Sequence, residues 1–213
     1  MTLTMQEEIA EFLLEIQAIK FKTQEPFFIW ASGIKSPIYC DNRIINSKVK
    51  VRDAVIAAFC NIVANKFLNE TDIIAGVATG GIPYGVLVAD RLKLPFIYVR
   101  EERKKHGLEK QIEGAFRKGD RVVLIEDHVS TGGSSLKAIR TLREEGLELI
   151  SLLSIMTYGF KEAGFSFSEE NVKFESLCDL DTILNVAVQK NIISLQDKYR
   201  ILEFRQSPKE WKP

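Results

Sequence analysis

Short apolar runs alternate with turns and helical stretches from Asp72 to Tyr158, and this alternation narrows the possible folds more than any other feature. The runs are DIIAGVA at 72–78, PFIYV at 95–99, RVVLI at 121–125 and the stretch from Leu149 to Tyr158. Continuous apolar runs of this length, bounded by turn residues, read as buried strands. A glycine-rich turn from Thr79 to Pro83 leads into a helix at Tyr84 to Leu92, and Ser134 to Glu145 reads as another helix. Gly146 closes that second helix, because glycine tolerates the left-handed cap. Strand, turn, helix and strand in succession form βαβ units. The expected fold class is therefore α/β, with a parallel sheet flanked by helices on both faces. In such sheets ligands bind beyond the carboxyl ends of the strands.

The remaining segments frame that sheet. Ile9, Phe12, Leu13, Ile16 and Ile19 recur at helical spacing and predict an amphipathic first helix. FFIWASGIKSPIYCDNR, residues 27–43, places aromatic and β-branched residues around Ser32-Gly33 and predicts a hairpin or a pair of short strands. Ser47 is suited to cap a helix running to about Phe67. A strand is expected near Val172 to Leu177, followed by helical stretches after Asp179 and Ser194. Residues 1–45 would form a small N-terminal cap, or hood, and residues 46–213 the α/β core with C-terminal helices, effectively one domain. A chain of 213 residues can bury about 70% of its unfolded surface, enough for that core.

Composition excludes several classes. Lys plus Arg and Asp plus Glu are 29 each, so the chain lacks the overall basic charge of a general nucleic-acid binder. Cys40, Cys60 and Cys178 make no CxxC pair and suit a reducing compartment. His106 and His128 are the only histidines, which rules out HExxH zinc chemistry. The acidic start lacks a signal-peptide pattern, and no apolar run approaches the ~20 residues of a membrane span. A cytoplasmic protein with no nucleic-acid or membrane partner is expected. Neither GxGxxG nor GxxxxGK[ST] occurs, so the usual dinucleotide and P-loop fingerprints are missing.

Three segments carry chemistry. In VVLIEDHVSTGGSS, residues 122–135, an apolar strand leads to Glu126 and Asp127, then to a loop of small residues, then to a helix. Unpaired N–H groups at a helix start, flexible glycines and hydroxyls suit a phosphate. Two acids beside it suit the adjacent hydroxyls of a ribose. The segment reads as a site for a phosphorylated ribose; the plainer alternative is an ordinary strand-to-helix connection. VATGGIP, residues 77–83, offers backbone amides before a helix, and by itself reads as a simple turn. Between Val99 and Arg121 lie Arg100, Arg103, Lys104, Lys105, His106, Lys110, Arg117 and Lys118, with Gly107 and Gly114 as hinges. Such cations can neutralise a departing pyrophosphate; a solvated charged loop is the alternative.

Together with FIWASGIKSPIYCDNR, these segments resemble the orotate phosphoribosyltransferases, type I phosphoribosyltransferases that use phosphoribosyl pyrophosphate (PRPP). The match runs over about residues 20–160 in the family's order. The resemblance implies transfer of the phosphoribosyl group from PRPP to orotate. Catalysis falls to Lys104, His106 and Asp127. PRPP contacts fall to Arg100, Lys104, His106, Glu126, Asp127, His128, Val129, Ser130, Thr131, Gly132, Gly133 and Ser134. Thr79, Gly80 and Gly81 form the pyrophosphate loop, while Ser130, with Lys35, Tyr39 and Arg43 as further candidates, meets orotate. It also implies Mg²⁺ held mainly through PRPP, with no direct protein ligand. A homodimer follows, in which a mobile loop at about 100–117 reaches the partner subunit's site. Gly80, Glu101, Tyr158 and Ala31 stand where the better-known enterobacterial form has basic residues. A phosphoribosyltransferase for another base and a non-catalytic PRPP-sensing regulator are the competing readings.

Overall fold

The computed structural model describes residues 3–30, 32–102 and 111–212. Helix α1 (Met5–Glu15) begins at Thr4, whose hydroxyl accepts the Glu7 N–H while the Glu7 carboxylate accepts the Thr4 N–H at 2.8 Å. Its buried face is Ile9, Ala10, Leu13 and Leu14. The helix stops before Ile19, earlier than its periodicity predicts. Gln17 turns left-handed at φ 58°, and the Ala18 and Gln17 amides bond back to the Leu13 and Leu14 carbonyls. Ile19 thereby starts strand β1 (Ile19–Phe21).

The expected hairpin resolves into two small sheets. β2 (Phe28–Ile29) pairs antiparallel with β3 (Lys35–Ser36). β4 (Ile38–Cys40) turns back to β1 instead, placing Cys40 opposite Ile19. A 3-10 turn at Asn42–Ser47 precedes α2 (Val49–Lys66). Ser47 does not cap α2: its hydroxyl donates to the Ile44 carbonyl at 2.9 Å and closes the 3-10 turn.

The alternating runs then build the sheet. They are β5 (Ile73–Val77), α3 (Ile82–Leu92), β6 (Phe96–Val99), β7 (Ile112–Glu113), β8 (Arg121–Val129), α4 (Gly133–Glu144) and β9 (Glu148–Thr157). α5 (Lys161–Glu169), β10 (Phe174–Asp179), α6 (Leu180–Gln189) and α7 (Leu195–Gln206) complete the chain. The strand order is β10-β9-β8-β5-β6-β7, parallel except for β7, which runs antiparallel along β6. β7 shortens the polar segment expected after Val99, because Ile112 is buried in register with Val99. α5 carries little sequence signal, since Gly164, Ser166 and Ser168 dilute its pattern; Ala163 and Phe167, one turn apart, are its buried face.

Side chains alternate across the sheet. Ile74, Val123, Ile125, Leu153 and Ile155 pack in the core shared with α1, α2, α3 and α6. Ala75, Val122, Leu124 and Leu152 pack in the core beneath α4 and α5. The chain leaves β5 for β6 through α3 on one face, and leaves β8 for β9 through α4 on the other. Connections from the adjacent strands β5 and β8 therefore diverge and open a crevice at their carboxyl ends, where such sheets bind ligands. All three cysteines are buried. Among the described residues, no helix is long and apolar enough to cross a membrane.

Candidate active site

The main departure from the sequence reading lies in β8. Pairing with β9 continues past Ile125, with Glu126 opposite Ser154 and His128 opposite Met156, so the two acids sit on the strand itself. Adjacent strand residues point to opposite faces. Glu126 turns toward the start of α4, where its Oε2 lies 3.3 Å from the Ser135 hydroxyl. Its Oε1 accepts the Asp127 N–H at 3.0 Å, and the residue is only 4% exposed. Asp127 faces the other side, toward the β5–α3 turn and the N-terminal segments.

Electrostatics separates the pair. Burial, and then the Asp127 charge, push the Glu126 carboxyl well above the usual carboxylate range. Burial acts on Asp127 in the same direction, but the His128 ring and main-chain N–H reverse it and leave the Asp127 pKa lowered. The environment thus pushes the two carboxyls in opposite directions, Glu126 toward its protonated form and Asp127 toward its charged form. Asp127 Oδ1 accepts the His128 N–H at 2.9 Å, and His128 Nδ1 lies 3.1 Å from Asp127 Oδ2.

Asp127, His128 and Ser130 line a cavity of about 530 Å³ with Thr79 and Gly80 of the β5–α3 turn. Its opposite wall is N-terminal: Trp30, Tyr39, Cys40 and the paired Asp41 and Arg43. Tyr158, at the end of β9, closes one side and is itself 2% exposed, its ring 5.0 Å from that of Trp30. A second cavity of about 290 Å³ is bounded by Ala78, Arg100, Glu101, Gly133, Ser134 and Lys137. Consecutive residues Ala78 and Thr79, joined by a cis peptide, line different cavities.

Glycine is required in both loops. A Cβ on Gly80 would lie 2.5 Å from Asp127 Oδ1, and one on Gly81 would strike the Ile125 carbonyl. Gly132, at φ 81°, starts α4 directly over Phe167, whose Cζ a Cβ would meet at 3.0 Å. Gly133 and Ser134 then present the helix start to the second cavity. Thr131 is half-buried at a separate small cavity beside Ile34, and Val129 is buried in the sheet. Arg100 pairs with Glu113 at 3.3 Å, and its carbonyl accepts the Gln111 side-chain amide at 2.8 Å. Of the three further orotate candidates, Tyr39 and Arg43 line the main cavity; Lys35 is exposed on β3 away from it. Lys104, His106, Gly107 and Ala31 lie outside the described residues.

Two residues were passed over in the sequence. Asn42, fully buried, donates from Nδ2 to the Asp127 carbonyl at 2.8 Å. Nothing local marks it, since its partner is remote in the chain. Lys137 stands one helical turn after Gly133, a spacing that could have flagged a cation above the α4 start.

An acidic strand end, two glycine turns and a helix start around a crevice define the phosphoribosyltransferase class, and the family model for the phosphoribosyl transferase domain matches residues 44–187. An orotate phosphoribosyltransferase of Phocaeicola vulgatus is 46% identical over 208 residues, covering 98% of this chain and 97% of the relative. One from Listeria innocua is 43% identical over 209 residues, covering 98% and 99%. The crystal structure of orotate phosphoribosyltransferase from Aeropyrum pernix superposes with a TM-score of 0.73 at 32% identity, covering 83% of this chain and 96% of that one. The chain belongs to the orotate phosphoribosyltransferase family of type I phosphoribosyltransferases.

Proposed function

We propose that this protein transfers the 5-phosphoribosyl group from PRPP to orotate in pyrimidine nucleotide synthesis. The products are orotidine 5′-monophosphate and pyrophosphate. The observation that carries the reading is the charged Asp127 carboxylate at the end of β8, facing the cavity beside the Thr79–Gly80 turn.

The reaction joins orotate N1 to the ribose C1′, breaks the C1′–pyrophosphate bond and releases the N1 proton. Positive charge develops on the ribose meanwhile. Asp127 is the acid placed to accept the ribose hydroxyls and stabilise that charge. Glu126 supports the loop from beneath through Ser135, with the Ser134 hydroxyl 3.5 Å away. Main-chain amides and hydroxyls from Ser130 to Ser134, ending at the α4 start, take the 5′-phosphate. Thr79, Gly80 and Gly81 receive the pyrophosphate, together with Arg100, Lys104 and His106. Ser130, Tyr39 and Arg43 line the cavity where the base is expected.

Among the described residues, no group of three or more His, Cys, Asp or Glu is arranged to hold a metal ion. Mg²⁺ would arrive on the substrate's own phosphate oxygens, the ion's usual habit. When bound, Mg²⁺ neutralises charge on the leaving pyrophosphate. Residues 1–45 serve as the hood over the base, and residues 46–213 as the transferase core. The protein works in the cytoplasm as a homodimer in which the basic segment at about 100–117 serves the partner subunit's site.

The test is loss of orotate ultraviolet absorbance on mixing the protein with PRPP and Mg²⁺, run beside uracil, hypoxanthine and adenine. Orotate loss that requires both PRPP and Mg²⁺ is expected. Turnover of another base alone assigns a different acceptor. PRPP binding without any turnover supports a regulator.

A further inference from the structure

His128 lies in the strand that leads to the phosphate loop, but its ring faces the other compartment. It lines the main cavity with Tyr39 and Tyr158, and its ring centroid is 6.2 Å from that of Tyr158. Nδ1 is buried against Asp127 Oδ2 at 3.1 Å, without the alignment of a hydrogen bond and with no other partner. The side chain is nevertheless 34% exposed, and Nε2 is the ring nitrogen not held against Asp127.

The charge pattern of this wall is specific. Among the described residues, two basic side chains line the cavity, Arg43 and His128. Arg43 is already forked onto Asp41, Nε at 2.6 Å and a terminal nitrogen at 2.9 Å. A protonated His128 would neutralise Asp127 and still offer one N–H. Orotate differs from uracil by a carboxylate, and a charge-assisted donor is the natural partner for that group.

We propose that His128 determines specificity in the phosphoribosyl transfer, its protonated ring donating Nε2–H to the orotate carboxylate and so selecting orotate over bases without one. The inference rests on the orotate reading above. The groups facing the ring are Asp127 on its own strand, Asp41 and Arg43 around the 3-10 turn, Tyr39 and Cys40 of β4, and Tyr158 after β9. Burial opposes protonation of His128, but Asp127 more than offsets it and the pKa is raised, with Asp41 adding to the rise and Arg43 opposing it. When His128 loses its proton, Asp127 is left uncompensated and the wall repels the carboxylate.

The experiment measures KM for orotate and for PRPP separately, from about pH 5.5 to about pH 9, which brackets histidine titration. It uses the full chain, His128→Gln and His128→Ala. In the unsubstituted protein KM for orotate is expected to rise with pH, and by more than any change in KM for PRPP. Both variants are expected to raise the orotate KM roughly ten- to a hundredfold, the size of one charge-assisted hydrogen bond. They should also flatten its pH dependence, raise the PRPP KM by less than the orotate KM and narrow the preference for orotate over uracil. Variants that keep the original orotate KM and pH profile overturn the assignment. If neither variant folds, the unsubstituted protein decides: an orotate KM independent of pH rejects His128. No orotate turnover in the unsubstituted protein rejects the functional reading itself and takes this inference with it.

Discussion

Asn42 Nδ2 donates a hydrogen bond of 2.8 Å to the main-chain carbonyl of Asp127, across 85 positions of sequence. The same asparagine accepts the Tyr84 hydroxyl on its own carbonyl at 2.6 Å and the Cys40 thiol on Oδ1 at 3.3 Å. One buried residue thus ties the N-terminal segments, α3 and the charged end of β8 together, its side chain reaching β4 and β8 and its main chain α3. Asn42→Ala would leave the Asp127 carbonyl without its partner, and unsatisfied buried polar groups cost about 1–3 kcal/mol. Urea denaturation should show a loss of that size, with a fall in kcat for orotate transfer. Unchanged stability and rate would mean the bond contributes to neither.

Gly80 stands where the enterobacterial form of the family has lysine, and the structure supplies a steric reason for glycine here. Its Cβ position lies 2.5 Å from Asp127 Oδ1. Gly80→Ala must rotate the carboxylate away from His128 or displace the turn. Misplacing a reacting group by about 1 Å can cost 10²-fold. We expect kcat/KM to fall by about that factor while the melting temperature changes little, since the turn lies at the open end of the sheet. Thermal melting beside the orotate assay separates the two effects, and full activity in the variant would contradict the geometry.

Lys104→Ala should reduce kcat by about 10²–10³-fold, the usual loss of one charge stabiliser in a transition state. Circular dichroism should be unchanged. A loss confined to KM for PRPP would assign Lys104 to ground-state binding instead.

Acid stability has a local contributor far from the site. Arg121 donates to both oxygens of Asp72 at 2.9 Å, and these side-chain and main-chain hydrogen bonds lower the Asp72 pKa from 3.8 to about 2. Because the folded value lies below the unfolded one, the stabilisation is present above 3.8 and is lost as pH falls through about 2. Asp72→Asn should therefore melt below the unsubstituted protein near neutral pH, with the gap closing in acid. A gap of equal size at both ends would trace the loss to packing. The pair is partly exposed, so added salt should shrink the gap.

Much of this molecule was legible because its signals are local. Apolar runs with turn residues at their ends mark β5, β6, β8 and β9 whatever surrounds them, since a buried parallel strand needs little more. The succession of βαβ units then limits the handedness and places the site at the carboxyl ends. The order of strand, two acids, small-residue loop and helix from Val122 to Ser135 is legible in the sequence, and it is what suggests a site for a phosphorylated ribose. Helix α5, diluted by small polar residues, and β7, only two residues long, lack enough pattern to be read.

Tertiary structure decided the rest. The sequence shows two adjacent acids as equals, but continued pairing with β9 sends Glu126 beneath α4 and Asp127 into the cavity. That division pushes the two carboxyls in opposite directions, Glu126 up and Asp127 down. Asn42 and the aromatic wall of Trp30 and Tyr158 acquire meaning only when β4, β8 and β9 meet. Hydrophobic periodicity depends on neighbours a few residues away, whereas desolvation and charge coupling depend on whatever the fold brings within a few ångströms.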